Sequence, residues 1–370
     1  MQKLFSLVAS LVAFTSIVNA DYDDAQLRNL ENRVTVLEQK KGCNGMINPS
    51  ARPVVDDGAD LFISADFLYW RCHENGLGYV IKNGGAFSGQ NPESVGAVLN
   101  SGKIKNVHPD WRAGFRVGVG YNLDHDGWDL SANWTRYYTH AHNETFAPIG
   151  GTLIPAFINP AIAPPVGTLV EAEAHWKLHL NVIDFELGRE FFVSRCMTIR
   201  PFGGLKTAWL NQKMRTEYDY LTAGTVQTIE PKMSSNFWGI GLMGGLDSEW
   251  KFSEGWSIYA SGDIALLYGY YKIRDREYGI TSTAQTTRLK VKDDPTIGRA
   301  ITDLAAGLRW EEMFSCDSFR LRIQAGWEQH MYFSQNQFIK FTDALEQGIF
   351  VSNQGDISFE GWVLNAQFDF

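Results

Sequence analysis

Residues 111–123 read WRAGFRVGVGYNL. Trp111, Ala113, Phe115, Val117, Val119, Tyr121 and Leu123 share one parity, and Arg112, Gly114, Arg116, Gly118, Gly120 and Asn122 share the other. A period of two predicts a strand with one apolar and one polar face. Asp124-His125-Asp126-Gly127 follows as a tight turn. The alternation then resumes, with Trp128, Leu130, Ala132, Trp134 and Tyr138 opposed by Asp129, Ser131, Asn133, Thr135 and Thr139. A soluble sandwich would also alternate. Here the apolar face begins and ends on Trp or Tyr, as a strand between two aromatic girdles requires.

The same grammar recurs outward from this hairpin. Trp238, Ile240, Leu242, Leu246, Trp250 and Phe252 oppose Gly239, Gly241, Asp247, Glu249 and Lys251. After Ser253-Glu254-Gly255, Trp256, Ile258, Ala260, Ile264, Leu266, Tyr268 and Tyr270 oppose Ser257, Ser261 and Asp263. Leu304, Ala306, Leu308 and Trp310 oppose Asp303, Gly307, Arg309 and Glu311; Phe319, Leu321, Ile323, Ala325 and Trp327 oppose Arg320, Arg322, Gln324 and Glu328. Segments 61–72, 174–191 and 198–210 fit less cleanly. In 174–191 the apolar parity switches between Val182 and Ile183, which predicts a β-bulge.

The last residues alternate again, Trp362, Leu364, Ala366, Phe368 and Phe370 against Val363, Asn365, Gln367 and Asp369. This strand, ending on Phe370, is similar to the signal read by the barrel assembly machinery, so Phe368 and Phe370 are the expected assembly residues. Breaks at 124–127, 192–197, 253–255 and 314–318 are short, and those at 73–108, 140–173, 212–233, 272–298 and 334–355 are long. Outer-membrane barrels have short periplasmic turns and long outer loops. The expected fold is an all-β antiparallel transmembrane barrel over 61–370 with about ten strands. It would have twelve or more if 73–108 or 272–298 hides a hairpin, as Thr281 to Lys292 could.

Upstream of the barrel three segments differ. Lys3, the apolar run Leu4 to Val18 and Val18-Asn19-Ala20 predict a signal peptide over 1–20 and export. Leu27, Leu30, Val34 and Leu37 occupy heptad positions over 21–41, flanked by Arg33 and Glu38, and predict a short coiled coil that makes a homo-oligomer, a trimer. An amphipathic helix packed on its own barrel is the alternative. Residues 42–60 read as a linker.

The net charge of −9 argues against nucleic acid. Mean hydropathy of −0.21 excludes a helical membrane protein but not a barrel, whose strands average out. Aromatics make up 13% of the chain. Cys43, Cys72, Cys196 and Cys316 contain no CxxC spacing, so neither a zinc site nor another metal is expected. Cys196 and Cys316, both in short turns, are the expected disulfide partners, within one chain or between subunits; four free thiols are the alternative.

Backbone groups in lipid must all be paired, so the sheet has to close, and closure decides what faces inward. Parity sends Arg112, Arg116, Lys177, Arg200, Lys206, Lys251, Arg309, Arg320 and Arg322 into the lumen. It sends Asp129, Asp184, Glu186, Asp247, Glu249, Asp263, Asp303, Glu311 and Glu328 with them. Facing rows of opposite charge would shape an aqueous passage for small hydrophilic solutes, and lumen glycines such as Gly118, Gly120 and Gly239 would leave room for it. The alternative is that the charges pair and plug a narrow barrel. The segment Phe146 to Val170 is apolar but carries five prolines, so it cannot be a helix; it would fold into the lumen, cover a neighbouring subunit, or remain a surface tip. His140-Ala141-His142 and the set Asp263, Asp303 and His330 are weak starting points for a metal or a catalytic site. No GxSxG motif is present, and neither an enzyme nor a cofactor is expected.

The stretch LFISADFLYWRCHENGLGYV (61–80) resembles the first strand of the Legionella-type major outer-membrane protein family, which also has members in environmental relatives of the chlamydiae. The coiled coil, GCNGMINPSARP (42–53), RPFGGLKTAWL (200–210) and the terminal strand are similar to those members. The resemblance implies a pore-forming outer-membrane barrel, abundant at the surface, with disulfide cross-linking. It carries no catalytic residues. A structural or adhesive surface barrel with a plugged lumen is the competing expectation.

Overall fold

The computed structural model describes residues 49–55, 58–83, 102–124, 126–162, 168–222, 224–281, 284–315, 317–342, 349–352 and 355–370. The expected signal peptide, the coiled coil with Leu27, Leu30, Arg33, Val34, Leu37 and Glu38, and Cys316 lie outside them.

Ten strands form the barrel wall: β1 (Leu61–Glu74), β2 (Arg112–Asn122), β3 (Trp128–Phe146), β4 (Leu169–Arg189), β5 (Met197–Thr222), β6 (Thr225–Ser253), β7 (Trp256–Ile280), β8 (Thr296–Phe314), β9 (Phe319–Tyr332) and β10 (Ile357–Asp369). Each pairs antiparallel with its chain neighbours, and β10 returns to β1 from Phe62↔Asp369 to Glu74↔Ile357. Leu61 and Phe370 exchange backbone hydrogen bonds of 3.1 and 2.9 Å, so the last residue completes the seam. Closure leaves no open edge, the condition a sheet must meet in lipid. At the tight turn before β3, Asp126 and Gly127 take φ of 60° and 69°, in the left-handed region that aspartate and glycine enter most readily.

The extra hairpin expected in 272–298 is a strand, Gln285–Asp293, laid against the far end of β7, and it adds nothing to the wall. The segment 212–233 is likewise not a loop. β5 and β6 run through it as a hairpin of 26 and 29 residues. A tilted strand needs about 9–11 residues to cross a bilayer, so these strands rise well above it.

Outward side chains mark the band. Trp250, Phe252, Trp256, Phe314, Phe319 and Phe368 are exposed at the end that carries both barrel termini. Tyr69, Trp134, Tyr138, Trp238, Tyr268, Trp327 and Trp362 are exposed at the other level. There Tyr69, Trp111, Trp327 and Trp362 form a continuous edge-and-stack chain with centroids 5.4–6.0 Å apart. Leu242, Ile264, Leu266 and Leu304 face lipid between the two girdles.

Above the second girdle the polarity inverts. On β4, Ala172, Ala174, Trp176, Leu178, Leu180 and Val182 point inward and are buried, while His175, Lys177, His179 and Asn181 point outward. The bulge expected between Val182 and Ile183 is absent: Val182↔Ala208 and Ile183↔Thr207 run in unbroken register. What changes at that point is the surroundings. Below it lipid lies outside and polar side chains inside; above it water lies outside and an apolar filling inside.

That filling is a plug. Trp70, Tyr137, Trp176, Tyr218, Tyr220, Phe237, Tyr271 and Phe359 from the wall are each no more than 2% exposed. They pack with Leu77, Tyr79, Leu153, Phe157 and Phe338 from the connections. Strands Gly78–Asn83, Gly102–Asn106 and Thr152–Pro155 make a small separate sheet in the mouth. Tyr218 donates to the Tyr79 carbonyl (2.6 Å) and the Asn159 amide donates to Glu277 (2.8 Å), pinning it to the wall. Within 146–170, Leu153, Phe157, Ile158 and Leu169 are therefore buried in the barrel mouth, while Phe146, Ile149 and Val170 stay exposed. The lumen glycines do not simply leave room for a passage: Gly239 and Gly269 receive the ring of Phe237 in the plug, and Gly120, at the terminal end, receives that of Phe62. Gly269→Val would set a side chain on the Phe237 ring and is expected to cost about 1–3 kcal/mol. Gly203→Ala, whose Cβ meets nothing nearer than 3.8 Å, should stay within about 0.5 kcal/mol in the same urea unfolding series.

Buried carboxyls inside the plug add a pH dependence. Burial pushes Glu277 up to about 7, against the pull of the Asn159 amide and Arg288. Asp275 is pushed up to about 8 by burial and by Glu277, with the Arg276 amide opposing. One oxygen of each has no partner among the described residues. Both acids bind a proton more tightly in the packed mouth than in water, where a carboxyl titrates near about 4. Their contribution is therefore complete below about pH 4 and is lost as pH rises through about 7 to 8. Proteolysis within 146–162 in detergent should accelerate from about pH 5 to about pH 9, and Asp275→Asn with Glu277→Gln should flatten that rise.

Candidate functional site: the barrel lumen

A cavity of about 310 Å³ occupies the barrel between the plug and the terminal end. Arg116, Asp129, Asp184, Glu186, Arg200, Lys206, Asp247, Glu249, Asp263, Asp303, Arg309, Arg320, Arg322 and Glu328 line it. Four expected lumen residues do not. Arg112 bonds to His140 (3.0 Å) at the loop end of β2. Lys251 and Glu311 pair with each other (2.6 Å) off the lining. Lys177 is exposed on the outer surface, because β4 has already passed into its inverted region there.

The two signs are interleaved, not segregated into facing rows. Arg116 meets Asp66 at 2.8 Å and grips Glu328 with two parallel bonds of 3.0 Å. Arg200 holds Asp129, Glu186 (3.2 Å) and Asp247 (2.8 Å). Lys206 sits among Asp184 (3.8 Å), Asp263 (3.0 Å) and Asp303, with its side chain only 3% exposed. Each cation thus neutralises carboxylates from two or three strands, which ties the wall across the lumen and leaves the space between them polar.

Both ring nitrogens of His330 face carboxylate acceptors, Nδ1 towards Asp303 (2.8 Å) and Nε2 towards Glu328 (3.2 Å). Asp263, Asp303 and His330 do come together around Lys206, but at mid-height and fully engaged. Trp70 lies directly over this cluster, 4.6 Å from the His330 ring and 5.9 Å from the Arg116 guanidinium, with Tyr137 and Phe359 above it. It is the floor of the plug and the roof of the cavity.

Parity missed several lining residues. Asp66 is hidden because Leu68, Trp70 and Cys72 share its inward parity while Phe67 and Tyr69 face out, so β1 reads apolar on both faces. Arg52 comes from the expected linker. That segment bridges to the wall at Ser50↔Phe191, and Arg52 donates to the Leu123 and Trp128 carbonyls (3.3 and 2.9 Å). Asn133, Gln324, Asn365 and Gln367 were on the polar parity but carry no charge. At the terminal end Phe368 stacks on Phe319 (5.6 Å) and faces lipid. Cys72 is buried in the plug and Cys196 lies in the turn before β5.

Outside the barrel, His142 does not pair with His140. Its Nε2 lies 2.7 Å from Glu173 Oε1, and His175 Nε2 lies 2.8 Å from the same atom. These three groups could offer ligands to a divalent cation.

A closed ten-stranded wall with two girdles and a charged interior is the geometry on which sequence comparison now bears. A family model described as "Legionella pneumophila major outer membrane protein precursor" matches residues 54–370. The chain belongs to that family. Membership of the Legionella-type major outer-membrane proteins, with the closed barrel, places it in the bacterial outer membrane. No curated protein matches the chain by sequence. Among solved structures it is similar to the outer membrane protease OmpT from Escherichia coli, at 11% identity and TM-score 0.37 over 85% of this chain and 97% of that one. It is also similar to a Pseudomonas aeruginosa FadL homologue, at 9% identity and TM-score 0.24 over 84% and 89% of the two chains. Likenesses this weak carry no argument about function.

Proposed function

We propose that this member of the Legionella-type family is a porin-like channel for small hydrophilic solutes that rests with its outer mouth closed. The observation that carries the reading is the charged cavity under the plug. Burying so many ionised groups costs solvation that an apolar core would not, and charged side chains kept inside a membrane protein mark paths for water and polar solutes. The interleaved charges suit small neutral or zwitterionic solutes better than ions of one sign. The long connections face the exterior, the termini the periplasm, and residues 27–38 join the barrels into trimers. Phe368 and Phe370 present the chain to the assembly machinery. No catalysis is proposed; His330 is held between two carboxylates.

A second reading, a non-conducting structural or adhesive barrel, is favoured by one observation, the nearly complete burial of the plug. Liposome swelling with small sugars separates the two. The channel reading expects swelling by the folded native chain that rises with pH, following Asp275 and Glu277. No swelling at any pH, with or without the plug, would leave only the structural barrel.

A further inference from the structure

Lys177 and Lys213 stand directly opposite each other across β4 and β5, both exposed on the outer wall. Like charges in directly opposed positions destabilise a sheet unless a counter-charge relieves them. Neither lysine has a carboxylate within ion-pair distance among the described residues, nor does Arg136, which faces outward on β3. The cluster is cationic in a chain whose net charge is −9. His179 lies two residues along β4 from Lys177, opposite Asn211 of β5 and opposite Tyr138 of β3, which is two residues from Arg136; burial, then the charges of Arg136, Lys213 and Lys177, hold its imidazole below the usual value. Asn181 and Asn211, on the same outward face, add neutral donors.

The height of the cluster is fixed. The His179 ring packs 4.4 Å from Tyr138 of the upper girdle, and Asn181 is paired to Trp209, itself paired to Trp238. The cations therefore project where the apolar band ends and lipid headgroups begin. We propose that Arg136, Lys177 and Lys213 form a binding site for the phosphate of a phosphorylated glycolipid in the outer leaflet, whose acyl chains lie along the band below. Arginine and lysine are the usual partners of phosphate oxygens. An anion there removes the lysine–lysine repulsion that the fold otherwise carries unrelieved.

The test uses the folded full chain in detergent micelles, titrated with diphosphoryl lipid A and read by native mass spectrometry. The expected result is a one-to-one adduct, weakened roughly thirtyfold by Lys177→Ala with Lys213→Ala. Arg136→Ala alone should weaken it less, and dephosphorylated lipid A should bind no better than detergent. Lys290→Ala with Lys292→Ala, in the exposed strand laid on β7, should leave the adduct unchanged. Heat-modifiable gel mobility confirms that each variant is folded; if the double variant is not, Arg136→Ala decides. Equal binding by the cluster variants, equal loss in the Lys290/Lys292 control, equal binding of dephosphorylated lipid A, or full displacement by inorganic phosphate would each overturn the proposal.

Discussion

Trp70→Ala combined with deletion of 149–162 is expected to turn a mostly closed barrel into a mostly open one in planar bilayers. Trp70 separates the charged cavity from the aromatic filling above it, touching His330 and Arg116 below and Tyr137 and Phe359 above. The deleted residues carry Leu153, Phe157 and Ile158, all buried in the mouth. Removing one large buried aromatic costs about 3–5 kcal/mol of the packed state. At about 1.4 kcal/mol per decade, that alone moves a closed-to-open equilibrium by about two to three and a half decades. The wall should survive, because its backbone ladder and the ion pairs below Trp70 are untouched. Persistent open steps at low voltage, where the native chain shows brief and rare ones, are the expected record. A silent double variant with native heat-modifiable mobility would mean that the lumen is blocked elsewhere.

The second large effect is on stability. Lys206→Met should lower the unfolding free energy in lipid vesicles by about 3–5 kcal/mol. The Lys206 ammonium is the shared partner of Asp184, Asp263 and Asp303, on β4, β7 and β8, and is almost fully buried among them. Taking it away leaves three carboxylates close together, with His330 still paired to Asp303. The loss should shrink when Asp263→Asn and Asp303→Asn are added, since the uncompensated charge is what costs. An equal loss in single and triple variants would point to packing of the lysine stem instead.

Much of the fold was legible in the sequence for a physical reason. β2 and the first half of β3 lie wholly between the girdles, so lipid outside and polar groups inside impose clean alternation on 111–135. The turns at 124–127 and 253–255 were readable because glycine and aspartate mark them. The charged lining followed from the same parity. Legibility failed where strands outrun the bilayer. On β4 and β5 the inward face becomes apolar and the outward face polar, so a change of solvent imitates a bulge at Val182–Ile183 and misplaces Lys177. β1 hid Asp66 because lipid covers its outer face and the plug its inner one. The plug was half visible, as an apolar proline-rich stretch in 146–170 that had to pack somewhere. Its wall partners Trp176, Tyr218 and Tyr271 come from strands distant in sequence, and only closure brings them together.

Solvent reach into the barrel tests the division between charged chamber and apolar plug most directly. With the four native cysteines replaced by serine, Asn133→Cys places a thiol on the cavity wall and Leu180→Cys places one in the plug. In vesicles at about pH 5, where the plug is at its most stable, a membrane-impermeant thiol reagent applied from the loop side should leave both unmodified. Removing 149–162 together with Trp70 should then expose Asn133→Cys to that reagent. Rapid modification of either cysteine from the loop side with the plug intact would contradict the closed mouth.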